Sequence, residues 1–315
     1  MLRKKTFQNK VAVSRYALPF TATLAALVWV AVGLMTDNIW VEFAITIVST
    51  LLMVELNNKN ALMRTYSRMV SCSFLALITV TSLPYPSLTG NLSTLCLIAF
   101  YLILWTSYQD HHATGRTYYA FIFLGLASTI FVQALYYLPI LWFVMMVFTN
   151  SFSIRTFMAS ILGVITPYWF TVGYYAYTDN IQGFISHLSN LATFQVPFDF
   201  SQVTNHQIIN FSFIIVLGII GTIHFLRTSY ADKIRTRMIY ESLILMNAVS
   251  IIFLLLQPQH DYEIGGILIV NTSPLIAHYI TFTKGKLANL SFIAMLLFAI
   301  IILLYNLLIP SITIL

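Results

Sequence analysis

Charge is what this chain has least of. Its 315 residues include 16 Lys+Arg and 10 Asp+Glu, 8% of the total, where a soluble domain carries about a quarter. So few charges cannot cover the surface of a compact soluble fold. With 59% hydrophobic residues, this excludes an ordinary cytosolic enzyme, a disordered chain and a nucleic-acid binder. Cysteine is nearly absent. Cys72 and Cys96, both inside apolar runs, make neither a disulfide framework nor a metal site. The chain also lacks a Walker loop, a dinucleotide glycine pattern, a nucleophile elbow and H-E-x-x-H. No cofactor is legible.

What is present is a series of apolar runs. A helical span needs about 20 mostly apolar residues. Such segments lie at 16–35, 39–56, 67–84, 92–109, 117–137, 139–154, 156–177, 207–226, 239–256, 264–283 and 287–309. The expected fold is all-α, a polytopic integral-membrane bundle of about 11 transmembrane helices in one domain over 1–315. The first run follows a basic stretch but is longer than a signal-peptide core, and its exit, Gly33 to Asp37, has no A-x-A-like site. It reads as a retained helix.

Segment 117–154 has no Lys, Arg, Asp or Glu. It is too long for one helix across a hydrocarbon core about 30 Å thick, so a hairpin turning at Pro139 is expected. Charge supports the hairpin, because cytoplasmic loops collect Lys and Arg. With it, all 16 Lys and Arg fall on one side. With a single helix they divide nine and seven. The expectation is a cytoplasmic N-terminus, basic over 1–15, and an outward C-terminus. The outer side holds Asp37, Glu42, Asp179, Asp199, Asp261 and Glu263. The basic residues are topology signals beside helix ends, with a minor role in meeting anionic lipid.

The one long loop, 178–206, faces outward in this arrangement. Ile181, Phe184, Ile185, Leu188 and Leu191 recur at helical spacing, which predicts a short amphipathic helix on the membrane surface or capping the bundle.

Ionisable and polar groups inside the hydrocarbon mark function or interhelical bonding. Asn271, Thr272, Ser273 and Pro274 form a polar, Pro-interrupted run near mid-depth of the tenth span, with His278 deeper. Asn271, Ser273 and His278 are the candidate substrate-binding residues. Thr166-Pro167 interrupts the seventh span similarly, and paired interrupted helices can frame a transporter site. Asp37 and Glu42, five apart at the entrance to the second helix, are the candidate catalytic pair, as base or cation ligands. Their alternative is a solvated turn with Asp37-Asn38 capping that helix. His260-Asp261-Tyr262-Glu263 with His187, Asp179, Asp199 and His206, and Asp110-His111-His112 with Arg116, have no specific metal-ligand spacing.

Gly125-Leu126-Ala127-Ser128, Leu138-Pro139, Ser153-Ile154-Arg155-Thr156-Phe157, Leu162-Gly163 and Thr166-Pro167-Tyr168 resemble a family of uncharacterised polytopic inner-membrane proteins of Bacteroidota. The stretch Pro274 to Tyr279 with Lys284 and Lys286 is similar too. The resemblance implies the inner membrane of a Gram-negative bacterium and no activity. More distantly, the span order in 117–178 resembles GT-C glycosyltransferases and O-antigen polymerases. These use polyprenyl-phosphate sugars and an outward acidic residue after the first span, a position that Asp37 or Glu42 matches. The first outward loop here is shorter than theirs. The outer face has no Arg or Lys to hold a lipid phosphate, a role a divalent cation would have to fill.

Three functions follow as expectations. The first is a cell-envelope biogenesis protein handling a polyprenyl- or lipid-linked glycan at the outer leaflet. The second is a non-enzymatic membrane subunit of an envelope complex, with membrane-protein partners. The third is a transporter. The lipid bilayer is a partner in each, and nucleic acid in none.

Overall fold

The computed structural model describes residues 6–35, 38–81, 87–193, 198 and 203–309. Among these the chain is helical, with no strand. The helices are α1 Phe7–Val13, α2 Ala17–Val32, α3 Trp40–Asn60, α4 Met69–Thr81, α5 Leu88–Leu104, α6 Thr114–Ile130, α7 Leu138–Val147, α8 Ile154–Tyr177, α9 Ile181–Ser189, α10 Asn205–Thr228, α11 Ile234–Leu256, α12 Asp261–Phe282 and α13 Lys286–Leu308. A 3-10 turn, Val132–Tyr137, leads into α7.

Each of the eleven expected segments holds a helix. Seven helical stretches are long and apolar enough to cross a membrane: Trp40–Asn60, Leu88–Ser107, Ile154–Tyr177, Asn205–Ala231, Ile234–Leu256, Pro258–Phe282 and Lys286–Leu308. That marks a membrane protein. The other four are shorter or less apolar. Among them, α2 meets α1 at 93° and α4 has 13 residues. The outer helices leave large apolar side chains uncovered, Trp169 at 73% and Phe170 at 77% exposure, as lipid-facing helices do and soluble ones do not.

Local chemistry sets several boundaries. Ser153 and Thr156 form a capping box at the start of α8, and Thr204 and Gln207 form one at α10. Ser87 caps α5 and Asn180 caps α9. Helix α9 lies where the long loop was expected to be amphipathic. None of its residues is buried, and it packs on the end of α8.

Hydrogen bonds tie the bundle at two ends. At the basic end Arg235 donates to Asn60 and to the Trp105 carbonyl, both 3.0 Å, and His111 meets the Phe152 carbonyl at 3.1 Å. At the acidic end Gln207 donates to Asp261 and Thr89 to Glu263, both 2.6 Å, and His187 meets the Ser128 carbonyl at 3.1 Å. Segment 117–154 leaves the basic end at Arg116, reaches the acidic end at Ser128, and returns so that the Gln109 N–H donates to the Thr149 carbonyl at 2.7 Å. It is a hairpin. Its break is at Phe131, in extended conformation between α6 and the 3-10 turn, rather than at Pro139. Pro139 instead sits in the first turn of α7, where its missing N–H leaves no bond unmade.

Helix α12 is the axis. It has 22 residues, of which 17 are buried, and packs on α4, α5, α10 and α11. Helices α6 and α8 cross backbone to backbone. A Cβ on Gly125 would lie 2.6 Å from the Val164 carbonyl, and one on Gly163 would lie 2.6 Å from the Tyr118 carbonyl. Small residues at a crossing are the membrane solution to helix association, where the hydrophobic effect offers little.

Candidate functional site

Three features follow α12 from one end to the other. At its N-terminus a cavity of about 40 Å³ is lined by Asp261, Gln207, Asn210, Asn91, Thr94 and Ser87, with Ile78, Ile214 and Ile269 deeper. Asp261 is 6% exposed and accepts from Gln207. Beyond Ile269 comes the polar run. The Tyr101 hydroxyl donates to Asn271 Oδ1 at 2.9 Å, and Asn247 Nδ2 donates to Thr272 at 3.3 Å. Nearby, Tyr137 donates to Ser250 at 3.0 Å. Asn271 Nδ2 and Asn247 Oδ1 are buried without a hydrogen-bond partner among the described residues.

At the basic end His278 Nε2 lies 3.1 Å from Asp232 Oδ2, and Arg64 Nε lies 2.8 Å from Asp232 Oδ1. The Asp232 and His278 side chains are fully buried, and Arg64 is about a third exposed. The rings of Phe282, Tyr240, Phe225 and His224 surround His278 at 4.6, 5.2, 5.3 and 5.4 Å between centroids. Desolvating a carboxylate is costly, and its two partners offset that cost. The cluster seals the basic end by locking the segment before α11 and the segment before α4 against α12.

The expected binding residues therefore do not converge. Asn271 pairs with Tyr101 on α5. The Ser273 hydroxyl bonds back to the Ile269 carbonyl of its own helix, which satisfies it without any ligand. His278 stands about 10 Å further along the axis, at 1.5 Å per residue, inside the Asp232 cluster. Helix α12 continues through Pro274, whose carbonyl accepts from Tyr240 at 3.3 Å.

Of the expected catalytic pair, Asp37 lies outside the described residues. Glu42 is half-buried in the first turn of α3, and no side chain bonds its carboxylate among the described residues. Asp199 lies outside the described residues, and among those described the acidic-end His, Asp and Glu do not gather into a group of three that could hold a metal ion. Asp261 turns inward, Glu263 takes Thr89, and His260 meets Phe131 edge-on at 5.1 Å between centroids. Asp110 pairs with Arg116 and accepts from the His112 N–H at 2.9 Å, which shapes the loop before α6. Cys72 and Cys96 are buried free thiols.

A groove of about 370 Å³ opens at the acidic end between the Val132–Tyr137 turn and α11. Tyr136, Tyr137, Ile140, Val249, Phe253 and Gln257 are among its walls. The Tyr136 hydroxyl donates to the Leu191 carbonyl just past α9, so the amphipathic helix is tied to the groove's rim. Behind Tyr137 is a void of about 20 Å³. Size separates these spaces. Organic ligands need about 300–1,000 Å³, while a water needs only about 10–15 Å³. The groove is large enough for a substrate, and the other two spaces have room only for water or an ion.

No known family, curated protein or solved structure matches this chain.

Asp232, Tyr101 and Asn247 carry no signal in the sequence, and Asp261 stands out there only as an outward acid in the cluster 260–263, not as a buried one. An acid next to a helix start is a weak signal, and nothing local shows it is buried.

Proposed function

We propose that this chain is a bacterial inner-membrane protein of cell-envelope biogenesis that takes a polyprenyl- or lipid-linked substrate at the outer leaflet. The observation carrying this reading is the groove of about 370 Å³ beside Tyr136 and Tyr137. It is almost wholly apolar, it lies at the acidic end, and it has the size of an organic ligand. An apolar chain enters such a groove directly from the hydrocarbon. The polar part of the substrate then sits at the rim, near Gln257 and the residues after α9. Eleven spans with the basic end in the cytoplasm would put this rim outside, and the Lys and Arg distribution supports that orientation. Asp37 and Glu42 stay the candidates for a base or cation ligands on that face.

The test is photocrosslinking with a diazirine-bearing polyprenyl phosphate, together with mass spectrometry of lipid-linked saccharides in a deletion strain. Labelling at 136–140 or 249–257 and accumulation of a defined intermediate support the reading. No specific labelling together with an unchanged saccharide profile sinks it.

Transport is the second reading. It is favoured by the polar run on α12 between a cavity at one end and an ion-paired seal at the other. Reconstituted protein would then show saturable flux of a small polar solute, lost in His278→Ala. An absence of flux across a broad panel counts against it.

A further inference from the structure

The cavity at the N-terminus of α12 is separate from the groove, and the lipid reading makes no use of it. We infer that it binds one monovalent metal cation, held by the Asp261 carboxylate and the neutral oxygens of Asn91, Thr94 and Ser87.

An acid in the first turn of a helix is by itself ordinary, because it meets the positive end of the helix dipole. Two further observations set Asp261 apart. It is buried rather than solvated, facing a cavity of about 40 Å³, room for an ion with one or two waters. Across the same cavity, the Asn91 carboxamide is 8% exposed and has no hydrogen-bond partner among the described residues. Buried polar side chains are nearly always bonded, so an uncommitted carboxamide opposite a buried carboxylate points to something between them.

The remaining donors fit a small hard cation. Gln207 donates to Asp261 Oδ2, and the carboxylate keeps further lone pairs toward the cavity, since a carboxylate offers about four. Thr94 donates its proton to the Gly90 carbonyl at 2.7 Å, so its lone pairs are free to coordinate. The Ser87 hydroxyl accepts from the Gly90 N–H at 3.2 Å and keeps a second lone pair. A side chain at Gly266 would collide with the Thr94 hydroxyl, so α5 and α12 are held close enough for both to reach one ion.

The charge count sets the valence. Among the described residues of the lining Asp261 alone carries a formal charge, with no Lys or Arg, and the nearby Glu263 carboxylate is taken by Thr89. One carboxylate balances one unit of positive charge. Calcium sites use six to eight oxygens, usually from several carboxylates.

The experiment uses the purified full chain in detergent. Binding of ²²Na⁺ is measured by scintillation proximity, and the unfolding midpoint is followed in NaCl, KCl, LiCl and choline chloride at equal ionic strength. The expected result is saturable binding of about one ion per chain, with a midpoint rise of at least about 2 °C over choline. Asn91→Leu keeps the charge and removes a ligand, and is expected to weaken binding at least about tenfold, equivalent to 1.4 kcal/mol. Asp261→Asn is expected to abolish it. Equal midpoints in all four salts with no displaceable ²²Na⁺ would overturn the inference. So would a response to Ca²⁺ alone, or unchanged binding in Asn91→Leu. Should the variants not fold, the wild-type comparison among cations decides. None of these readouts depends on a lipid substrate.

Discussion

The His278 imidazole and the Asp232 carboxylate, 46 positions apart in the chain, meet at 3.1 Å with neither side chain exposed. Asp232 also holds Arg64 at 2.8 Å, so one carboxylate fixes two other elements. Replacing Asp232 by Ala leaves His278 buried and removes the partner of Arg64. The expected loss is about 3–5 kcal/mol. Arg64→Ala is expected to cost less, because that side chain is partly in solvent. Thermal unfolding in detergent checks the order, and equal midpoints for the two variants would contradict it.

Tyr101 and Asn271 give an asymmetric pair. Tyr101→Phe leaves Asn271 Oδ1 without its donor, and the cost is about 1–3 kcal/mol. Restoring balance with Asn271→Leu in the Tyr101→Phe background should recover part of that loss, since removing both partners of a buried bond is nearly neutral. A double-mutant cycle on unfolding midpoints measures this. Strict additivity would show that the two do not act as a pair.

The α6–α8 crossing allows no Cβ on Gly125 or Gly163. Gly163→Val is expected to destabilise the protein by about 1–3 kcal/mol through overpacking, with lowered accumulation in the membrane. Gly173→Ala on the same helix has open space at its Cβ position and serves as the control. Normal accumulation of Gly163→Val would mean that the helices separate freely.

Sidedness is tested with single cysteines in a chain carrying Cys72→Ser and Cys96→Ser. Ser189→Cys, at the end of α9, should react in intact cells with a membrane-impermeant maleimide. Ser229→Cys, between α10 and α11, should react only after permeabilisation. The opposite pattern would invert the orientation.

Filling the groove separates lipid binding from folding. Ile252→Trp projects a large ring into the groove from a position 56% exposed. It should lower photolabelling by the polyprenyl probe at least about tenfold while leaving the unfolding midpoint nearly unchanged, since exposed substitutions generally move stability by about 0.5 kcal/mol or less.

Much of the architecture was legible because it follows from the solvent. The apolar runs located the long helices but not α1, which lies in the basic stretch before the first run, and the Lys and Arg distribution called for a return in 117–154. Ile181, Phe184, Ile185 and Leu188 marked α9 by spacing alone. Boundaries were less legible. Pro139 looked like the turn, yet a proline in a first turn opens a helix as readily as it ends one, and the chain breaks at Phe131. The site was least legible. Asp261 reaches Gln207 across 54 positions and Tyr101 reaches Asn271 across 170. Burial that arises between distant segments leaves no mark in either segment. Asn271 and His278 stood out as polar residues in an apolar span, but their partners did not.

Helix α12 also constrains how the chain enters the bilayer. It carries Asn271, Thr272, Ser273 and His278 at full burial, and lipid cannot satisfy these groups. Its helix neighbours α4, α5, α10 and α11 all precede it in the chain. The helix that follows, α13, is the most apolar of the seven long ones and touches little of the bundle. Translation thus delivers the partners first, the polar axis next, and a strongly membrane-seeking segment after it. A chain stopped before α13 would be left with its least lipid-compatible helix at the terminus and no apolar segment behind it to hold that helix across the membrane.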